Sequence, residues 1–449
     1  MGHMKRSQKI AVYLISALGL LALGLLYILW LRSYPSYSNW GRLAALGSTL
    51  LFAVLGLCFV PRWVAFWSPG EPLPAAPDTE EPPRMQVRLF GWLLAFDLLI
   101  LILAWLLRRA MGFAGTLDFW TCTDSRHYLD IARDWYLSEG SRDRLVQLVF
   151  LPGYPVAVRL AALVVRNELR AGLLVSALCF AGAGCVFYRL LRLDYPHETA
   201  LRGVVLLCLL PGSFFFAAPM SESLFFLLCS ACLYLARTRR WLLGSLCGAL
   251  AAFTRSLGLT LLVPLMMELI AAIIRHELSA RRALTRAFAL LLIPAGFGAY
   301  LLVNYAVAGD PFQFLTYQAE HWGQHLGLFF NTAAYQTELA IGTVRTNPHN
   351  FWGLWLPNLL AAFGALALMI AAVRKLRPGY VAWFIAYYVI AIGATWLLSA
   401  PRYLLACLPV PAAASLVTER QSVHRALIPV LGVLWMLYFL AFLLRWQVW

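Results

Sequence analysis

Charged residues are scarce in this sequence. Asp, Glu, Lys and Arg make up 13% of its 449 residues, whereas hydrophobic residues make up 61%. A soluble domain is about one quarter charged. Apolar runs of about 20 residues, the length that crosses a bilayer, recur from one end of the chain to the other. The composition excludes a soluble globular domain and predicts an all-α polytopic membrane protein.

Acidic residues are particularly few, at 21 against 36 Lys and Arg, which gives a net charge of +15. The basic residues form short clusters between apolar runs, at 5–9, 237–240, 275–286 and 374–377. Cytoplasmic loops of membrane proteins carry such an excess of Lys and Arg. We therefore predict that these clusters are cytoplasmic, that membrane lipid surrounds the chain, and that it has no nucleic-acid partner.

The sequence also lacks a metal or disulfide framework. Its nine cysteines include no Cys-x-x-Cys pair with a histidine partner, and eight of them lie in apolar runs. A buried cysteine behaves as a small hydrophobic residue. Asp124 and Asp130 are six residues apart and form no evident ligand pair. We predict no cofactor and no metal site, and a divalent metal is left as an alternative that these residues do not support.

The apolar runs predict about 11–13 transmembrane helices. The largest predicted set of spans lies near 10–31, 42–63, 89–108, 169–192, 203–219, 221–236, 241–254, 256–274, 287–308, 351–373, 379–398, 402–418 and 425–445. Three parts follow: two N-terminal helices with a Pro-rich cytoplasmic loop at 1–88, a catalytic region at 89–418, and a C-terminal helix at 419–449.

Two long segments, 111–151 and 309–350, are rich in aromatic, charged and amide residues instead of aliphatic ones. Loops of this length are usually functional or disordered, and their many aromatic residues favour function. Threading the spans between the basic clusters places both segments on the outer side. This topology requires residues 155–165 to form a re-entrant or interfacial helix, since 11 residues are too few to cross.

The same threading brings five polar residues to the outer face: Asp124, His127, Glu222, Arg255 and Arg402. Ionisable residues at membrane depth are costly, and they mark candidate functional sites. A carboxylate can act as general base on a sugar hydroxyl. Arginine presents planar, bidentate donors that suit a phosphate leaving group.

Each of these residues also has a purely structural interpretation. Asp124 can pair with Arg126 or Arg133 on a solvated loop, and His127 can serve packing alone. Their positions in the sequence do not decide between these roles and catalysis.

The other three candidates are equally open. Glu222 can be an acidic residue in the first turn of a helix, where it interacts favourably with the helix dipole. Arg255 can extend its charged end to the membrane interface. Arg402 follows a proline and can anchor the end of a span.

Several motifs occur in a consistent order along the chain. They are DSRHYLDIA at 124–132, VFLPGYP at 149–155, LPGSFFFAAPMSESLF at 210–225, TRSLG at 254–258, GDPF at 309–312 and SAPRY at 399–403. Together they resemble the GPI mannosyltransferase II (PIG-V) family over roughly residues 89–418. The resemblance implies a GT-C membrane glycosyltransferase fold, whose long first outer loop carries amphipathic helices and the catalytic carboxylate.

The resemblance also implies roles for individual residues. Asp124 takes the position of the base, with His127 as its neighbour, and Arg255 and Arg402 are candidates for binding the donor phosphate. Further substrate-binding candidates are Glu222, Tyr154, Gln318, Trp322 and Tyr403.

The predicted function is inverting transfer of a hexose, with mannose favoured, from a polyprenyl-phosphate donor to a glycolipid or similar acceptor at the outer face. The acceptor stays open because Thr123 and Leu257 depart from the family pattern, and two extra spans precede the family region. Short loops and a preference for Arg over Lys suggest the plasma membrane of a prokaryote. The alternative is a lipid or solute transporter, although paired repeats with broken helices are not evident.

Overall fold

Helices form nearly all the regular structure of this computed structural model, which describes residues 4–67, 81–114, 116–136 and 146–449. Within these residues the only strand-like pairing is an isolated bridge between Leu326 and Ala394. The predicted loop at 67–83 lies outside the described residues over 68–80, as do residue 115 and 137–145 of the predicted loop 111–151.

Nineteen α-helices of six or more residues occur in the described chain and are numbered in order. They are α1 Arg6–Ser33, α2 Asn39–Phe66, α3 Met85–Ala110, α4 Asp124–Asp134, α5 Gly153–Val165, α6 Glu168–Arg192, α7 His197–Leu209, α8 Glu222–Arg237, α9 Trp241–Thr254, α10 Leu262–Ile274, α11 Ala280–Leu290, α12 Leu292–Ala308, α13 Gln313–Trp322, α14 Phe329–Thr343, α15 Leu356–Ala372, α16 Pro378–Ile392, α17 Ala400–Leu405, α18 Pro409–Val417 and α19 Gln421–Leu443. Within the same residues, four 3-10 helices lie at Leu117–Thr121, Val146–Val149, Ser213–Phe216 and Ser256–Leu261, and a single α-turn with a π-helix lies at Pro348–Trp355.

Eight helical segments of the described chain are long and apolar enough to cross a membrane. They are Arg6–Ser33, Asn39–Phe66, Met85–Ala110, Glu168–Arg192, Ser256–Ile274, Ala280–Ala308, Pro348–Ala372 and Gln421–Leu443. The other five predicted spans correspond to the shorter helices α7, α8, α9, α16 and the pair α17–α18. The all-helical polytopic architecture is confirmed for the described residues, whereas crossings beyond these eight stay a prediction.

Large apolar side chains cover the outside of the helix bundle. Leu21 on α1 is 70% exposed, and Leu163 and Val164 on α5 are 73% and 84% exposed. Such a surface is unfavourable in water and is satisfied by lipid, where each helix bonds its own backbone internally. The predicted helix at 155–165 is present as α5, and at 13 residues it is about 20 Å long, too short to cross.

A break in the chain between α7 and α8 sets the depth of the candidate site. Pro211 and Gly212 follow α7, and Gly212 has φ +92°, a conformation that favours glycine. A short turn at Ser213–Phe216 follows, and α8 then begins at Glu222. The predicted span 203–219 is therefore broken, and the first turn of α8 lies inside the protein.

A second break follows α9. Arg255 is extended, with φ −150° and ψ 136°, so α9 ends before it and the chain turns at Ser256–Leu261. A Cβ atom at Gly153 would lie only 2.8 Å from the Cα of Thr254. The Pro-Gly turn before α5 can approach the end of α9 because residue 153 has no side chain.

Helix α8 separates the two ends of the bundle, because Glu222 is its first residue and Arg237 its last. A helix of this length separates its ends by about 22 Å. At the far end, Arg237 pairs with Asp194 and Lys375 pairs with Glu419. We call this the basic end and the end near Glu222 the site end. The membrane face at each end stays a prediction.

The terminal helices pack directly on the predicted catalytic region. Trp30 of α1 donates to the Oδ1 of Asn331 on α14 at 2.8 Å, and the Ser38 hydroxyl before α2 donates to Glu338 at 2.5 Å. Phe214 lies 5.0 Å from Phe442 of α19, measured between ring centroids. The division at residues 88 and 418 stays a prediction.

Candidate active site

Asp124 is the first residue of α4, a short helix with one buried face. The preceding Thr123 has φ +52° and ψ −136°, a strained conformation for a β-branched residue. Such strain persists only where the surrounding structure holds it, and it is frequent at functional sites. The turn directs the carboxylate of Asp124 to Arg402, whose Nη1 donates to Oδ2 at 2.7 Å.

Glu222 lies behind this pair and is fully buried. Its Oε1 accepts from Nε and Nη2 of Arg402, at 3.0 and 2.8 Å, and from Nη1 of Arg255 at 2.5 Å. We call Asp124, Glu222, Arg255 and Arg402 the site cluster. Its two carboxylates balance two guanidiniums, which makes the burial of these charges tolerable.

Arg402 uses all three of its donor nitrogens on the two carboxylates. Arg255 uses Nη1 for both Glu222 and the Ser221 hydroxyl, which lies 3.1 Å away. Among the described residues, Nε and Nη2 of Arg255 make no hydrogen bond. Arg402 is therefore committed to holding the cluster, whereas Arg255 retains donors for a ligand.

Aromatic rings surround the arginines. The guanidinium carbon of Arg255 lies 5.1 Å from the ring centroid of Tyr403, and that of Arg402 lies 5.1 Å from the ring centroid of Phe215. Contacts of this kind attract a cation to the face of a ring. The Tyr128 hydroxyl lies 3.0 Å from that of Ser221 and extends the network to α4.

His127 lies one turn after Asp124 and stacks on Phe150, with ring centroids 4.8 Å apart. Burial lowers the pKa of His127 below its usual value, although the charges of Asp124 and Asp130 raise it in part. The imidazole is therefore neutral near pH 7, with one nitrogen able to accept a proton. Within the described chain neither ring nitrogen forms a hydrogen bond.

The site cluster borders a cavity of about 1060 Å³, here cavity A. Asp124, His127, Arg255 and Arg402 line it. The predicted substrate residues Gln318, Trp322 and Tyr403 also line it. The described chain thus gathers seven of the nine predicted residues around one space.

The other two predicted residues do not line cavity A. Glu222 lies behind its wall and contacts it through the two arginines. Tyr154 is fully buried, and its hydroxyl donates to the Gly172 carbonyl at 2.9 Å and lies 2.8 Å from the Ser176 hydroxyl. Tyr154 therefore supports α4 through its edge-to-face contact with Tyr128.

The local alternatives for Asp124 are not what the described contacts show. Arg126 pairs weakly with Asp130 at 3.8 Å, and Arg133 pairs with Asp130 at 2.8 Å and Asp134 at 3.0 Å. Asp124 instead pairs with Arg402, 278 positions away. Glu222 does lie in the first turn of a helix, as its structural interpretation predicts, and it also binds both arginines.

Several contributing residues received no role from the sequence. Ser221 and Tyr128 lie next to assigned residues in two of the motifs. The motifs therefore pointed to their positions but could not predict that their hydroxyls are in contact. Gln447 and Trp449 also line cavity A, yet they belong to no motif. Among the described residues no group of three or more His, Cys, Asp or Glu side chains could hold a metal ion.

Part of the chain that contains the site matches a known protein family. Residues 112–320 match the model of the mannosyltransferase (PIG-V) family. The resemblance to the PIG-V family is confirmed over this range. It includes Asp124, Glu222 and Arg255 but ends before Arg402, so it is narrower than the predicted range of 89–418. A prokaryotic source stays a prediction.

Two mammalian proteins are similar to part of the chain. GPI alpha-1,6-mannosyltransferase 2 of Mus musculus is 36% identical over 166 residues, covering 33% of this chain and 30% of that protein. The Rattus norvegicus protein of the same name is 36% identical over 163 residues, covering 32% and 30%. The match thus spans less than one third of these relatives.

Among solved structures, the chain is similar to ArnT from Cupriavidus metallidurans, crystallised with undecaprenyl phosphate. The TM-score is 0.48 at 16% sequence identity, covering 82% of this chain and 77% of that chain. At this identity and TM-score the similarity is distant.

Proposed function

We propose that this chain is an inverting glycosyltransferase. It moves a hexose, with mannose favoured, from a polyprenyl-phosphate carrier to a glycolipid or similar acceptor at the outer membrane face. One observation carries the proposal: the carboxylate of Asp124 borders a large cavity, and Arg402 links this carboxylate to the buried Glu222. The matching PIG-V family region supports the choice of sugar transfer.

Asp124 acts as the general base in this reaction. Its Oδ2 is occupied by Arg402, whereas Oδ1 makes no hydrogen bond within the described residues. Oδ1 can therefore accept the proton of an acceptor hydroxyl. The hydroxyl oxygen bonds to the anomeric carbon, the bond from that carbon to the phosphate oxygen breaks, and the lipid phosphate leaves with the electron pair.

Arg255 binds the phosphate of the carrier. It lines cavity A and keeps Nε and Nη2 free of hydrogen bonds among the described residues. Since Glu222 and Asp124 already balance the two arginines, an arriving phosphate brings excess negative charge. Bidentate donation by Arg255 stabilises that charge as it grows on the leaving group.

Apolar side chains of cavity A suit the hydrocarbon tail of such a carrier. Leu315, Leu326 and Ile390 line the cavity and are 51%, 72% and 45% exposed. A tail that contacts these residues keeps its apolar surface out of water while the phosphate reaches Arg255. The combination of apolar wall and arginine favours a lipid-linked donor over a soluble nucleotide sugar.

The transporter alternative requires a path to the basic end. There Arg237 and Arg377 both bind the buried Asp194, and Arg377 also binds Glu268. Opening a path would separate these pairs in a low-dielectric interior, which is costly. The described contacts therefore favour a site that works from one side.

Purified protein with radiolabelled polyprenyl-phosphate mannose and a crude lipid acceptor pool tests the proposal. We expect transfer by the unmodified protein and a loss of about 100-fold or more in Asp124→Asn, because the amide cannot accept the proton. Asp310→Asn is the matched control: Asp310 does not line cavity A, and its contact with the Phe312 amide survives in asparagine.

Full activity of Asp124→Asn would overturn the assignment of the base. Absence of sugar transfer by the folded, unmodified protein with every lipid acceptor fraction, together with movement of the labelled lipid across vesicles, would support the transporter instead.

A further inference from the structure

A second cavity of about 1170 Å³, here cavity B, is also lined by residues of α4 and the turn before it. Four residues line both cavities: Thr123, His127, Gln447 and Trp449. Thr123 directly precedes α4 and His127 lies in its first turn, whereas Gln447 and Trp449 come from the segment after α19. The two cavities therefore share a wall made by α4 and residues 445–449.

The two cavities have different linings. Four carboxylates and three guanidiniums line cavity B, whereas one carboxylate and two guanidiniums line cavity A. Trp135, Trp446 and Trp449 also line cavity B, together with the amides of Gln147 and Asn167. Cavity B thus suits a polar group, and cavity A has the apolar residues that suit a hydrocarbon chain.

Residues 445–449 are held in place by contacts on both sides. The Ser399 hydroxyl donates to the carbonyl of Trp449 at 2.7 Å, and the Trp446 ring stacks on His349 with centroids 5.0 Å apart. Val448 is buried, at 2% exposure. Ser399 directly precedes α17, which carries Arg402, so the segment is tied to the site cluster.

We propose that residues 445–449 partition the active site into two compartments, with the donor in cavity A and the glycosyl head group of the acceptor in cavity B. This assignment rests on the proposed function. Thr123 and His127 belong to the shared wall, and Asp124, which follows Thr123, lines cavity A. An acceptor head group held in cavity B therefore extends its hydroxyl past this wall to Asp124, while the anomeric carbon of the donor approaches within cavity A. Gln447 and Trp449 are positioning residues for the acceptor.

The chemistry of cavity B favours a head group with many hydroxyls over a strongly charged one. Arg133 already pairs with Asp130 and Asp134, so much of the local charge is balanced. Carboxylates, guanidiniums and amides remain able to accept from or donate to hydroxyls in several directions. The tryptophans present large apolar faces with one polar edge, which match the faces of a sugar ring.

Cysteine labelling tests the two compartments without requiring turnover. Asp118→Cys reports on cavity B and Leu315→Cys on cavity A, since each residue lines that cavity alone. The native Cys122 in cavity B contributes little background, because burial raises the pKa of its thiol to about 11. Maleimide labelling at pH 7.5 is read at each peptide by mass spectrometry.

A short-chain monoglucosyl diacylglycerol should slow labelling of Asp118→Cys and leave Leu315→Cys unchanged. The same diacylglycerol without the sugar is the control. A short-chain polyprenyl phosphate should give the opposite pattern. Equal protection of both cysteines by one probe, protection of Leu315→Cys by the glycolipid, or no protection by the glycolipid would overturn the partition.

A kinetic test addresses Trp449 itself. Trp449→Ala should raise the acceptor KM about tenfold, as expected for loss of a large aromatic anchor. The donor KM should rise less, although Trp449 also borders cavity A. Trp352→Ala is the matched control, since Trp352 is 54% exposed and lines neither cavity. Equal changes in both KM values, or no change, would contradict a positioning role. Absence of transfer by the unmodified protein would contradict the proposed function, while the labelling result would still decide the partition.

Discussion

Two clusters of the same composition lie at opposite ends of the bundle. Each contains two carboxylates and two arginines, and most of these side chains are buried, whereas that of Asp124 is 28% exposed. The site cluster contains Asp124, Glu222, Arg255 and Arg402. The second, which we call the closed cluster, contains Asp194, Arg237, Glu268 and Arg377.

The two clusters differ in how completely their carboxylates are paired. In the closed cluster, arginine donors reach both oxygens of Asp194 and both oxygens of Glu268. In the site cluster, Oε2 of Glu222 is buried and has no hydrogen-bond partner among the described residues, and of the two Asp124 oxygens only Oδ2 is bonded within them. The closed cluster lines neither described cavity, whereas the site cluster borders cavity A.

The difference in carboxylate pairing indicates different roles for the two clusters. A buried carboxylate without full pairing is costly, and such costs are tolerated mainly where a ligand or reaction uses the free oxygen. The comparison suggests that the closed cluster stabilises the fold and that the site cluster performs chemistry. Variants of matched residues in the two clusters can break or sharpen that distinction.

The largest effect should come from neutralising one carboxylate in each cluster. Glu222→Gln and Glu268→Gln each leave a buried arginine poorly balanced, and each should destabilise the protein by about 3–5 kcal/mol. Thermal unfolding in detergent measures this loss. Only Glu222→Gln should also reduce transfer per folded molecule, and a comparable reduction in Glu268→Gln would remove the functional distinction between the clusters.

The next effect concerns the bridging arginines. Arg402→Lys keeps the charge, but a single ammonium group cannot reproduce the three directed contacts with Asp124 and Glu222. We expect transfer to fall about 100-fold, close to the loss of one oriented electrostatic contact. Arg377→Lys in the closed cluster should lower the unfolding temperature. Its kcat should stay within about twofold of the value for the unmodified protein. Similar kcat values for both variants would show that Arg402 only stabilises the fold.

A smaller effect should follow the loss of one hydroxyl at each cluster. Tyr128→Phe removes the contact with Ser221, and Tyr380→Phe removes the hydroxyl that accepts from Arg237 at 3.1 Å. Each should cost about 1 kcal/mol of stability, the usual value for one hydrogen bond. Only Tyr128→Phe should change the donor KM, because Ser221 also contacts Arg255. An unchanged donor KM would separate Tyr128 from phosphate binding.

The smallest effect is a pH dependence at the site end. Burial lowers the pKa of His127, so the folded protein holds the neutral ring more strongly than the unfolded chain does. That stabilisation is complete above the unfolded pKa of about 6.5 and is lost as pH falls through the folded pKa. Unfolding temperatures measured from pH 7.5 to 5 should fall less steeply in His127→Gln. Parallel curves for the two proteins would exclude this role for His127.

Part of the site could be predicted from local sequence. Arg126 and Arg133 stand four and three residues from Asp130, the spacing at which helical side chains meet. Both arginines pair with Asp130 within α4, and Asp124 pairs with a residue outside this helix. The motifs identified Asp124, but they could not show which arginine it binds.

The helix breaks explain why the number of long spans was difficult to predict. Apolar composition alone makes 203–219 look like one continuous span, although Gly212 adopts φ +92° within it and α8 begins ten residues later. The apolar content of such a segment does not depend on whether it crosses the bilayer or turns inside the protein. Its packing against neighbouring helices decides between these outcomes.

The sequence by itself determined that this is a helical membrane protein, because so much apolar surface can be satisfied only by lipid and internally bonded helices. It also determined which residues carry the family motifs. The tertiary structure alone decided that Arg402 joins Asp124 to Glu222 and that Trp449 borders both cavities. Those contacts connect segments far apart in the chain, so they depend on how the helices end and pack and not on any local pattern.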